Sequence, residues 1–82
     1  MARKKDWNQV VQEASDNYQT LIDSPDANTT YVGQALHGTV SSSSSWQLMK
    51  ISTSGNVNLI QYANGDDDYK YIWDSRAGYV YS

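Results

Sequence analysis

Turn signals cut this chain into pieces short enough to be strands. Asp23-Ser24-Pro25-Asp26-Ala27-Asn28, Thr53-Ser54-Gly55-Asn56 and Asn64-Gly65 each interrupt a run rich in β-branched and aromatic residues. Proline fixes φ, Asp and Asn side chains bond nearby backbone, and Asn-Gly favours positive φ, so the chain reverses at such places. The runs between them read as strands at 18–23, 29–35, 46–52, 57–63 and 78–81. Segments 18–23 and 29–35 are expected to pair antiparallel, and 46–52 with 57–63 to form a central hairpin. The expected fold is mainly β. It is a small antiparallel β-sandwich or sheet with an N-terminal amphipathic helix and a short helical turn near the C-terminus.

The strand patterns carry two irregularities. Trp46 and Leu48 share a face, but Ile51 falls out of phase with them, and Val57 and Leu59 slip similarly against Ile60 and Tyr62. A slip of one residue moves a side chain to the other face. Either each strand holds a bulge or both faces are covered. Gly33 and Gly38 bracket Gln34-Ala35-Leu36-His37, and a glycine inside a strand pattern marks a bulge or a close backbone approach. The five serines at 41–45 are expected to form a loop.

Much of the chemistry lies between Tyr62 and Tyr79. After Asn64-Gly65 come Asp66-Asp67-Asp68, an aromatic patch of Tyr69, Tyr71, Ile72 and Trp73, and then Asp74 and Arg76. With Asp67 or Asp68 as N-cap, a helical turn would span about 69–76, with Tyr69, Ile72, Trp73 and Arg76 on one face. Gly78 would end it. Arg76 is expected to stack on Trp73 or Trp46, and Asp74 to pair with Arg76 or bond a backbone amide. Trp46, Trp73, Asp74 and Arg76 are therefore the candidate structural clamp.

Residues 1–17 read as a helical arm, and 18–82 as a small β domain. Asp6 and Gln9 have capping-box spacing, and Trp7, Val10, Val11, Ala14, Tyr18 and Leu21 follow at helical spacing. The helix is expected over 6–16. Trp7, Val11, Ala14, Tyr18 and Leu21 alternate steps of four and three, as in a coiled-coil seam. The arm is either one amphipathic helix lying on its own domain or a neighbour, or a self-associating seam. On either account Trp7, Val10, Val11 and Tyr18 are the candidate assembly interface.

Several functions are disfavoured. There is no cysteine and one histidine, His37, so disulfides, thiolate chemistry and multi-histidine metal cages are excluded. No Gly-x-Ser-x-Gly elbow accompanies His37, and no enzyme activity or cofactor is expected. Asp66, Asp67 and Asp68 offer oxygen ligands of the kind Ca²⁺ takes, without the spacing of an EF-hand loop; no metal is expected. The net charge is −3, with three of the six basic residues at the first five positions, which argues against a nucleic-acid-binding face. No apolar run approaches the ~18 residues of a membrane span, and no apolar segment follows the basic start as a signal peptide requires. Seven Tyr and three Trp without a Phe favour half-buried positions and subunit interfaces.

The pattern Tyr31-Val32-Gly33-x-Ala35, Gly38-Thr39, Trp46-Gln47-Leu48-x-Lys50-Ile51, Ala63-Asn64-Gly65-Asp66, Ile72-Trp73-Asp74-Ser75-Arg76-Ala77 and Tyr81-Ser82 resembles a family. It is that of small virion structural proteins encoded by tailed bacteriophages, and the resemblance covers about residues 18–82. Members more often have alanines in place of the serine run and Asp in place of Asn64. The resemblance implies a structural role on a virion, with other virion structural proteins as partners and synthesis in the host cytoplasm. A helical arm with a seam pattern suits a symmetric bundle, so a homo-oligomer and a tail position, in baseplate or fibre attachment, are expected. Capsid decoration is the alternative. A glycan-binding adhesion module is another, because Tyr and Trp also stack on sugar rings.

Overall fold

The structure, a computed structural model, describes residues 17–82. The expected helix at 6–16, with Trp7, Val10 and Val11, lies outside the described residues. Four strands form an antiparallel meander: β1 (Tyr18–Asp26), β2 (Thr29–Leu36), β3 (Ser44–Ser54) and β4 (Val57–Tyr62). A short β5 (Tyr71–Ile72) pairs with the start of β3, and a 3-10 helix (Trp73–Gly78) follows it. The protein is thus mainly β, an antiparallel sheet with a short helical element near its C-terminus.

The turns explain the strand boundaries. β1 and β2 join through Ala27-Asn28, where the Asp26 carboxylate accepts the Asn28 N–H at 2.8 Å. Their pairing shifts register between Asp23 and Asp26, around Pro25, on an edge strand where a missing N–H is tolerated. β3 and β4 run on to a tight turn at Gly55-Asn56, with Gly55 at φ +60°. β3 therefore reaches two residues further into the predicted turn than expected, while β4 begins at Val57 as predicted.

The C-terminal third departs from expectation in two ways. The helical turn begins at Trp73, later than the predicted 69–76, and no side chain caps it. The aspartates are engaged elsewhere: Asp66 accepts the N–H of Asp68 at 2.9 Å, which makes a turn of its own. Nor do residues 78–81 form a strand. Tyr81 makes a single bridge to Ala63, flanked by Asn64 N–H to Val80 O at 2.6 Å and by Tyr62 and Ser82 bonding each other. The Asn64-Gly65 turn, with φ of 54° and 67°, sends the chain off the sheet, and the tail returns to it. Residues 63–82 consequently form a lid over one sheet face.

Under that lid lies the core: Ala35, Trp46, Leu48, Ala63, Tyr71 and Trp73, with Leu21, Tyr31, Tyr79 and Tyr81 packed against it. The phase slips are not bulges between β3 and β4, whose register runs unbroken from Met49–Tyr62 to Ser54–Val57. Both faces simply carry apolar residues. Ile22, Val32, Met49 and Tyr62 form one row across the far face, and Ile51 stands opposite Ile60 beside it.

Candidate functional site

The clamp is built where the lid meets the sheet. Trp46 is fully buried from β3, and its indole N–H donates to Val40 O at 3.0 Å. Trp73 packs beside it with ring centroids 6.1 Å apart. Gly33 makes room for Trp73: a Cβ there would stand 2.5 Å from Trp73 Cε3 and 2.8 Å from Cζ3. This is the close approach that the glycine in β2 signalled. On Trp73 lies the Arg76 guanidinium, 4.4 Å from the ring centre, which donates to Trp73 O at 3.1 Å. Its Nε and Nη2 both donate to Asp23 Oδ2, at 3.1 and 2.9 Å. The ion pair at Arg76 is thus with Asp23 of β1. Asp74 is exposed, and its backbone N–H bonds Ser41 O at 3.1 Å.

Tyrosine hydroxyls fasten the rest of the lid. Tyr81 donates to Arg76 O at 2.8 Å, Tyr79 accepts the Ile72 N–H at 3.0 Å, and Tyr71 donates to Asp66 Oδ2 at 2.9 Å. Tyr71 and Tyr79 meet edge to face at 5.1 Å, and Tyr31 lies 5.8 Å from Tyr81. Burial pushes the Tyr81 hydroxyl up to about 12, with Tyr31 and Tyr79 adding to the rise. A lid with little regular secondary structure leaves backbone groups to satisfy, and phenols do this where Phe would not. The Tyr bias that suggested interfaces is thus partly spent inside the domain.

Asp66, Asp67 and Asp68 bring carboxylate oxygens within 4.8 Å of one another. Asp66 is held below its ordinary carboxylate range by hydrogen bonds from Lys70, the Asp68 backbone and Tyr71. The Lys70 ammonium stands 2.9 Å from it. The most enclosed carboxylate of the three therefore already has its partners.

A separate cavity of about 360 Å³ opens near the start of β1, lined by Tyr18, Leu36, Thr39, Ser45 and Tyr69. Tyr18 and Tyr69 face each other at 5.5 Å, and Tyr69 donates to Gln34 Oε1 at 3.3 Å. Tyr18 is the one predicted interface residue among those described. Large apolar side chains are also exposed on the sheet: Ile22 (68%), Val57 (66%), Ile60 (57%) and Leu59 (52%). Among the described residues no helix is long and apolar enough to cross a membrane.

Pattern reasoning missed Asp23, which no local signal ties to Arg76. It also missed Tyr71, Tyr79 and Tyr81 as lid fasteners, although their polar handles were the clue. No family model, curated protein or solved structure matches the chain.

Proposed function

We propose that the protein is a non-enzymatic structural subunit of a tailed bacteriophage virion that works by packing against its neighbours. The observation that carries this is the exposure of Val57, Leu59 and Ile60 along the β4 edge, and of Ile22 on the β1 edge, of a small sheet with one face closed by its own lid. Apolar patches of this kind mark protein contacts. The sequence resemblance supplies the virion. The N-terminal arm, with Trp7, Val10 and Val11 and with Tyr18 at the start of β1, is the attachment element, and the tail, at a baseplate or fibre junction, is the position. Copies of this chain and other virion proteins are the partners; nucleic acid and membrane are not. Immunogold labelling of gradient-purified particles tests this. Gold on the tail supports it, gold on the head makes the protein a capsid decoration subunit, and unlabelled particles overturn it.

One observation favours a second function. The Tyr18–Tyr69 pair, with the Thr39 and Ser45 hydroxyls, lines a cavity within the ~300–1,000 Å³ range typical of ligand pockets. That arrangement suits a sugar ring, as in a glycan-binding adhesion module. Glycan-array binding that is lost in Tyr69→Ala would move this function to first place.

A further inference from the structure

We propose that β4 pairs edge to edge with β4 of a second copy of the chain, antiparallel about a two-fold axis at Leu59. The proposal deepens the packing role above and rests on it for the choice of a second copy as occupant. The outer edge of β4 is closed only at one end. There Tyr62 and Ser82 exchange N–H···O bonds of 3.2 and 3.1 Å, and Asn64 donates to Val80. In an antiparallel ladder, residues two apart point their backbone groups the same way. Since Tyr62 points outward, so do Ile60 and Asn58, while Val57, Leu59 and Gln61 face Ser54, Ser52 and Lys50 across the hairpin. The outward groups of Asn58 and Ile60 form no backbone bond to any other described residue.

These groups are self-complementary. With Leu59 on the axis, Asn58 of each copy exchanges both bonds with Ile60 of the other. Leu59 then meets its own symmetry mate, and Val57 stands opposite Gln61. The open stretch runs from Val57, next to the Gly55-Asn56 turn, to Gln61, next to the residue held by Ser82, and this pairing uses all of it.

The two sheet edges differ in protection. β1 carries Asp23, Pro25, Asp26 and a register shift, all devices that blunt an edge against strand addition. Between Ile51 and Gly65 there is no Lys, Arg, Asp, Glu or Pro. In a chain of net charge −3, two copies meet with least repulsion along this strand. The pairing also brings together Val57, Leu59 and Ile60, all exposed apolar side chains in the single chain.

Because the chain has no cysteine, Leu59→Cys and Val57→Cys can each be oxidised in the full-length protein without competing thiols. Directly opposed residues of a non-hydrogen-bonded pair have Cβ atoms ~4.5–5.5 Å apart. Leu59→Cys should therefore form disulfide dimers at least about tenfold faster than Val57→Cys, which faces Gln61 rather than itself. By sedimentation, the wild-type chain should be an even-numbered oligomer, and Leu59→Lys should halve its mass while keeping its far-ultraviolet circular dichroism. Equal cross-linking of the two cysteine variants, a monomeric wild type, or a folded Leu59→Lys of unchanged mass would each overturn the pairing. None of these readouts needs a particle, so the pairing can fail while the virion role stands, and the reverse.

Discussion

Arg76 bonds Asp23 across 53 positions of sequence, at 3.1 Å through Nε and 2.9 Å through Nη2, and so ties the lid to the first strand. The same guanidinium stacks on Trp73 and holds the Trp73 carbonyl. Arg76→Ala should lower the unfolding free energy by about 1–3 kcal/mol, the range for losing hydrogen bonds to a charged group. Arg76→Lys should recover less than half of this, since an ammonium cannot both stack flat and fork onto a carboxylate. Urea titration followed by tryptophan fluorescence measures both. A midpoint for Arg76→Ala equal to that of the wild type would mean the contact contributes nothing.

Gly33 is the counterpart on the sheet side. In Gly33→Ala the new methyl would meet the Trp73 ring at 2.5 Å, and an indole packed against Trp46 has little room to retreat. Overpacking of this kind costs about 1–3 kcal/mol. The same titration should show the loss, together with a shift in Trp73 emission. Wild-type stability in Gly33→Ala would show that the lid yields easily.

The meander was legible in the sequence because its turns are written in local chemistry. Asp26, Asn28, Gly55, Asn64 and Gly65 act within a few residues of themselves. The Gly33 signal was equally readable, since a glycine in a strand pattern has few uses. The lid was less legible. Its helical turn was displaced because Asp66 bonds Asp68, Lys70 and Tyr71 instead of leaving an aspartate to cap a helix. Its closing ion pair was missed because Asp74 is near Arg76 in sequence and Asp23 is near it only after folding. At Ile51 the apolar pattern slips by one residue, yet the β3–β4 pairing holds no bulge there and the far face has no cover among the described residues. Two faces that both carry apolar residues, one of them under the lid, are what such a slip records here.

Alkaline pH should loosen the lid. Folding raises Tyr81 from 10.0 to about 12, and Tyr69 and Tyr71 also move up, each chiefly through burial. The folded protein then keeps protons that the unfolded chain releases, so stability is fully present below about pH 10 and is lost as pH rises towards 12. Tyr81→Phe should cost about 0.5–1.5 kcal/mol at neutral pH through its lost bond to Arg76 O. It should also make the alkaline decline shallower. Melting temperatures across this pH range test the sign. A decline equally steep in Tyr81→Phe would assign the effect to other groups.

The arm should be separable from the domain. Trp7→Ala combined with Val11→Ala should impair incorporation into particles or self-association, and leave the urea midpoint of the β domain unchanged. Normal assembly by this variant would remove the arm as the attachment element.

The most direct test of a packing role is the amount of this chain in gradient-purified tailed particles, by quantitative mass spectrometry against the soluble fraction of the infected cell. The account predicts that the chain stays with the particles through the gradient, in a fixed copy number matching a symmetric ring or bundle. A chain found only in the soluble fraction, with purified particles lacking it, would contradict the account.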